Sequence, residues 1–316
     1  MNTLVYHYGG LGDFITTLPA IALWKQYHQS SITLLGKPSS GELARNAEYA
    51  DTIIDADCRC ALPAFKSPPD HTDTDRFFRQ FDAVLLYCGS DSPILANSRE
   101  FFTGDIFWQP PFPAERVPVV EYHLSMFNHL RPFSSQRLPI ITISPESLSP
   151  QVKTWIENNS PFVVIHPGSG SLIKNWPVAR FIEVARQLRE DGCSILWMRG
   201  PAEAGIEFPH EDKHLDEISL TECAAILSLC SVFLGNDSGV THLAAATGCP
   251  VVALFGPSDS VIWGPTGRGP VCIIKRQLPC GPCHLHHDRN IDCGCKCMLD
   301  ICTDHVIAEL KNTMHR

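Results

Sequence analysis

The chain has 316 residues with a net charge of −9, 44% hydrophobic and 19% charged residues, the make-up of an ordinary globular protein long enough for two domains. Neither half is basic: residues 1–150 carry 11 Lys and Arg against 16 Asp and Glu (−5), and the remainder 14 against 18 (−4). A nucleic-acid partner held by a basic face is thereby excluded, and the lack of a long apolar run or a basic leader predicts a cytoplasmic protein.

In chain order, β-like apolar runs alternate with amphipathic helical stretches, the pattern of open parallel sheets covered by helices. "NTLVYHY" reads as a first strand, and "FITTLPAIALWKQYH" as a helix with Pro19 near its first turn, where proline is tolerated. "SSITLLG" and "DAVLLYCG" follow as strands. From about Thr103 to Pro150 the chain is rich in proline and aromatics, and "ITISPESLSPQVKTWIENNSP" reads as the exit from one domain, with a linker helix into the next. The expected domains are therefore 1–150 and 151–316. A new series then runs "PFVVIHPG", helix, "CSILWMRG", helix, "VFLGND", helix, "PVVALFG", with Gly192 and Gly248 placed to end helices in a positive-φ conformation. Each half opens as strand, glycine-rich loop, then helix with an early proline, which predicts two doubly wound domains whose loops line a cleft.

The first of these loops, "YHYGGLGDFITTLPAI", departs from a dinucleotide fingerprint. Gly10 and Gly12 are present, but Ile15 stands where a third small residue belongs, and the second strand ends without an acid for ribose hydroxyls. An NAD-dependent oxidoreductase is thus disfavoured. Asp13 would place negative charge where a pyrophosphate rests; read locally, it is either a helix N-cap or a reactive carboxylate.

The second half suits an anion better. "GNDSGVTHLAAATGCPVVALFGPSD" puts Asn236, Asp237, Ser238 and Gly239 at a helix N-terminus directly after an apolar strand, with His242 one turn in. Outward-pointing amides, the helix dipole and a close approach at Gly239 all favour a phosphate there. "HPGSGSLIKNWP" adds hydroxyls at Ser169 and Ser171 and a point charge at Lys174.

Together, "GGLGDFITTLPAI", "HPGSGSLIKNWP" and "GNDSGVTHLAAATGCPVVALFGPSD" resemble glycosyltransferase family 9, the ADP-heptose:lipopolysaccharide heptosyltransferases. The resemblance covers nearly the whole chain and implies a GT-B fold: two Rossmann-like doubly wound domains facing each other across a cleft, the first for the acceptor and the second for the nucleotide sugar. It implies that Asp13 is the general base, with Gly10 and Gly12 on the acceptor side. Lys174 would contact the donor phosphates, Asp237, Ser238, Gly239 and His242 would cradle diphosphate and sugar, and Glu203 in "RGPAEAG" would engage the ribose. Ser169 and Ser171 stand where the family varies, and Arg59 and Lys66 are acceptor-side candidates by position. The reaction implied is inverting and needs no metal. ADP-heptose is the implied donor and the inner core of lipopolysaccharide the acceptor, with transient contact at the inner membrane face. Another nucleotide sugar or glycan acceptor, or a non-catalytic nucleotide-sugar-binding protein, are the alternatives.

Half of the fourteen cysteines lie between Cys272 and Cys302. Without an export signal a structural disulfide framework is disfavoured, and Cys280, Cys283, Cys293 and Cys297 have a spacing that suits a structural zinc or an iron–sulfur cluster. Reduced, unligated cysteines are the alternative.

Overall fold

The computed structural model describes the whole chain except residues 134–136, 201, 202, 204, 277, 279, 282, 284–294, 315 and 316. It divides into two compact units, Met1–Pro139 and Ile140–Arg316. Residues 140–150 pack with the second unit. Ile141 and Ile143 are buried, the Ile141 N–H donates to the Ala246 carbonyl at 2.8 Å, and the Ser149 N–H donates to Glu222 Oε1 at 2.8 Å.

The first unit is built on five parallel strands: β1 (Asn2–His7), β2 (Ser31–Gly36), β3 (Thr52–Asp55), β4 (Ala83–Tyr87) and β5 (Asp105–Gln109). Their order is β3-β2-β1-β4-β5. Residues 83–87 of β4 are all buried, as a central strand covered on both faces requires. The helix after β1 spans Leu11–His28, so Pro19 is its ninth residue and not part of its first turn. The helix starts earlier than the apolar pattern predicts because the Gly10 carbonyl accepts from the Phe14 N–H and the capping contacts of Gly10 and Asp13 organise the turn before Phe14. Residues 14–21 are all buried, and Trp24 Nε1 donates to Thr3 Oγ1 at 3.0 Å, fixing the helix to the start of β1.

The second unit holds six parallel strands: β6 (Phe162–His166), β7 (Ser194–Arg199), β8 (Lys213–Asp216), β9 (Val232–Asn236), β10 (Val251–Phe255) and β11 (Val271–Lys275). The order β11-β10-β9-β6-β7-β8 is that of a dinucleotide-type doubly wound sheet. On one face, Phe181, Val184, Ala185 and Leu188 of the helix Val178–Glu190 pack with Val163, Ile165, Ile195 and Trp197 of the strands. The helix Gly239–Ala246 is buried from Thr241 to Ala246; its alanines allow close approach to the sheet. Gly192 and Gly248 both have φ of +87°, as helix termination predicts.

Cys58 and Cys60 are disulfide-bonded. The bridge spans a single residue, Arg59, and clips the turn after β3 without joining distant segments, so it is no framework. Among the described residues, no helix is long and apolar enough to cross a membrane.

Candidate functional site

In an open α/β sheet, ligands bind beyond the carboxyl ends of the strands, where the strand order reverses. In the second unit that point lies between β6 and β9, where His166 and Gly235 are register partners. The loops there are the two anion-suited motifs.

Asn236, fully buried at the end of β9, ties them together. Its Nδ2 donates to the Pro167 carbonyl, and its Oδ1 accepts from the Trp176 N–H at 3.1 Å. Lys174 Nζ meets Asp237 Oδ2 at 2.7 Å, with Asp237 buried and Lys174 about one-third exposed. The two residues expected to serve the donor phosphates thus hold each other, and Lys174 is the more exposed of the pair. Ser238 caps the helix Gly239–Ala246 by accepting from the Thr241 N–H, so its hydroxyl is engaged in the turn. His242 is buried within that helix.

Ser169 and Ser171 part company. Ser169 is buried, and its hydroxyl is shared between the Ser171 carbonyl at 2.8 Å and Asn175 Oδ1 at 2.6 Å, so it shapes the loop. The Ser171 side chain caps nothing and stays half-exposed. Leu172 and Ile173, which no motif flagged, project into solvent from the same loop at 84% and 52% exposure.

Glu203 is fully buried. Its Oε2 accepts from the Gly200 N–H at 2.6 Å, and its Oε1 has no hydrogen-bond partner among the described residues. His166 Nε2 lies 3.8 Å from that oxygen, and burial holds the His166 pKa below its ordinary value, against the opposing pull of the carboxylate. A Cβ on Gly168 would fall 1.2 Å from Glu203 Oε1, so glycine is required at that position.

In the first unit the strand order reverses between β1 and β4, where His7 and Tyr87 are register partners. The glycine loop leaves β1 at this point. Asp13 is not the N-cap: Gly10 is, and Asp13 stands at the third helical position with Oδ2 accepting from the Gly10 N–H at 3.0 Å. Asp13 Oδ1 has no partner among the described residues, and the side chain is half-exposed. The contact at the helix start therefore uses one oxygen of the carboxylate. A Cβ on Gly10 would crowd Oδ2 at 3.2 Å, so this glycine makes room for the carboxylate itself. Arg59 is exposed, and Lys66 is engaged with Asp70 at 3.9 Å. Sequence reasoning missed Tyr8, whose hydroxyl donates to Asp57 Oδ2 at 2.5 Å and whose ring faces Lys37 Nζ at 5.3 Å.

Beneath the loop, burial pushes the His7 pKa down to about 4, with Lys37 adding to the shift, and the His123 pKa down to about 3. Both rings are neutral in the fold but take up protons on unfolding below about pH 6.5, so stability is complete above that value and declines as pH falls towards 4 and 3. Thermal unfolding from pH 7.5 to 4.5 should show a falling Tm, with a shallower slope in His123→Gln; equal slopes would remove His123 as a source.

Of the metal residues expected from the sequence, Cys293 lies outside the described residues, as do His284, His286 and His287. The Cys283 N–H donates to the Pro257 carbonyl at 2.9 Å, and Cys297 Sγ would lie 3.2 Å from a Cβ on Gly256, so both cysteines approach the turn after β10. Cys280 precedes Cys283 closely enough for its carbonyl to meet Cys283 Sγ at 3.5 Å. Among the described residues, no three metal-ligating side chains are gathered at one point.

Two parallel sheets, each carrying its motif loops where its strand order reverses, define a doubly wound α/β protein of two Rossmann-like units. Residues 110–292 match the model of glycosyltransferase family 9 (heptosyltransferase), and the chain belongs to that family. It is 25% identical over 326 residues to lipooligosaccharide heptosyltransferase 2 of Campylobacter jejuni, covering 96% of this chain and 95% of that protein. It is 26% identical over 201 residues to lipopolysaccharide heptosyltransferase 3 of Escherichia coli, a match spanning 58% of this chain and 59% of that protein's length. Among solved structures, ADP-heptose lipopolysaccharide heptosyltransferase II of E. coli superposes with a TM-score of 0.72 at 17% identity, over 99% of this chain and 98% of the other. The iron-containing dodecameric glycosyltransferase TibC of enterotoxigenic E. coli superposes with a TM-score of 0.64 at 18% identity, over 100% and 76%. The fold is GT-B.

Proposed function

We propose that this protein is an inverting, metal-independent glycosyltransferase that moves heptose from ADP-heptose to the inner core of lipopolysaccharide. The observation that carries the reading is the set of loops stapled by Asn236, with Lys174 paired to Asp237 beside the start of the helix Gly239–Ala246. A diphosphate there would draw Lys174 away from Asp237, and the helix N-terminus would add its amides, so negative charge on the departing ADP is stabilised by the protein's own groups. The named heptosyltransferases supply the donor sugar and the acceptor class.

In this reading the first unit is the acceptor side and the second, with Lys174 and His242 for the diphosphate, is the donor side; Glu203, fully buried, shapes the loop under Gly168 rather than meeting the ribose. Asp13 Oδ1 removes the proton of the attacking acceptor hydroxyl while Oδ2 stays held by Gly10. A general base acting directly on the acceptor hydroxyl, with no protein nucleophile in between, fits a single displacement with inversion. Because the acceptor is amphiphilic, the reading includes transient contact with the inner membrane face. The test is nucleotide release from ADP-heptose and a panel of other nucleotide sugars, with and without a deacylated core acceptor. Acceptor-dependent ADP release is expected, and activity with only a uridine or guanosine donor would overturn the choice of substrate.

The proposal extends to a structural zinc or iron–sulfur cluster held by Cys280, Cys283 and Cys297 with Cys293. It is supported by the approach of Cys283 and Cys297 to one turn and by the iron-containing TibC, and it takes no part in transfer. Stoichiometric metal is expected in anaerobically purified protein and less in Cys283→Ser; no stoichiometric metal in the wild type would refute it.

A further inference from the structure

The reversal point of the first sheet holds polar atoms that the proposed chemistry leaves unused. Tyr87, at the end of β4, has its hydroxyl buried without a hydrogen-bond partner among the described residues, and so has His123 its Nε2, on the helix Val119–Ser125. Buried polar atoms are nearly always paired, and two orphans from different elements in one place mark a missing group. The two rings meet edge to face with centroids 5.3 Å apart, so the two orphan atoms belong to side chains in direct contact.

Their chemistry is complementary. Gln109, at the end of β5, donates from Nε2 to the Tyr122 carbonyl at 2.8 Å, and this fixes its Oε1 towards His123 Nδ1 at 3.2 Å. An amide oxygen only accepts, so Nδ1 carries the ring proton. Burial keeps the ring neutral, which leaves Nε2 as a lone-pair acceptor. Burial likewise raises the Tyr87 pKa, so its hydroxyl stays protonated and able to donate. A donor beside an acceptor matches one neutral hydroxyl group: its oxygen accepts from Tyr87 and its hydrogen is given to His123.

The location points to more than filler. Tyr87 is the register partner of His7 across the reversal point, with ring centroids 6.2 Å apart. A Cβ on Gly9 would lie 2.9 Å from His7 Cε1 and 3.3 Å from Asp13 Oδ2, so His7 is the layer between these orphan atoms and the loop carrying Asp13.

We propose that Tyr87 and His123, oriented by Gln109, form a binding site for a single neutral hydroxyl group at the reversal point of the first sheet. The hydroxyl is that of an ordered water or of an acceptor sugar, and only the second source rests on the first unit being the acceptor side.

Crystals of the wild-type protein, grown with and without a deacylated core acceptor, test it, together with nitrogen-15 spectra of His123. An oxygen atom within hydrogen-bond reach of both Tyr87 Oη and His123 Nε2 in the free protein identifies the water. Occupancy only with acceptor bound, with a roughly tenfold rise in acceptor KM and unchanged donor KM in Tyr87→Phe, identifies the sugar. The spectra should show Nδ1 protonated and Nε2 bare in either case. No oxygen in either crystal, or a proton on Nε2, overturns the proposal. The free-protein crystal and the spectra use neither donor nor acceptor, so a failure of the glycosyltransfer reading leaves them interpretable.

Discussion

Asp13→Asn is expected to lower acceptor-dependent turnover by about 10²–10⁴-fold, the range for losing a general base, while donor affinity is unchanged. The variant separates the two roles that meet in this side chain. Asparagine retains an oxygen that can accept from the Gly10 N–H, so the reciprocal contact at the helix start survives. Only the charge near the helix N-terminus is lost, about 0.3–1 kcal/mol. Asp13→Ala removes contact and charge together and should melt at lower temperature than Asp13→Asn, with the same loss of turnover. Turnover, thermal melting and donor titration on the three proteins decide the matter: wild-type turnover in Asp13→Asn would remove the residue from catalysis.

Gly168→Ala and Gly170→Ala should behave oppositely although both sit in the loop after β6. At Gly168 the added carbon would fall 1.2 Å from Oε1 and 2.4 Å from the carboxyl carbon of Glu203. That side chain is fully buried and pinned through its other oxygen to the Gly200 N–H, so it has no solvent to retreat into. Overpacking of this kind costs about 1–3 kcal/mol. Here it must also displace the loop that presents Lys174, so nucleotide affinity should fall with stability. At Gly170 nothing lies within 4 Å of the added carbon, and both quantities should stay near wild type. Thermal melting and ADP titration check the pair; equal melting temperatures would show that Glu203 can move aside.

What the sequence disclosed follows from burial. Strands β4, β6, β9 and β10 are buried along their whole lengths and stand out as unbroken apolar runs such as "FVVIH" and "VVALF". The strands it did not disclose lie at or towards the sheet edges. "TIID", "KHLD", "DIFWQ" and "VCIIK" are only partly buried, so they carry mixed residues and no clear period. The candidate site divides in the same way. Asp13, Lys174 and the Asp237–His242 segment lie in contiguous motifs and could be read in advance. Tyr87, Gln109 and His123 come from three separate elements and acquire meaning only when the sheet brings their side chains together. Glu203 was legible as an acid near the end of β7, but its burial under Gly168 depends on a contact with a loop thirty-odd positions away. Pro19 misled because proline marks a helix start only when nothing upstream organises the turn, and the Gly10 and Asp13 contacts do so here.

The side chain of Asn236 holds the loop after β6 at both ends, by the Pro167 carbonyl and the Trp176 N–H. Such a clamp fixes the number of residues between the anchors, so an insertion or deletion there would break one anchor or the other. Relatives sharing the clamp can then diverge in ligand preference only by exchanging side chains on a rim of constant length. The freest positions on that rim are Leu172 and Ile173, which face solvent and carry none of the clamp's hydrogen bonds. Libraries aimed at altered donor choice should therefore diversify those two positions and leave the spacing untouched.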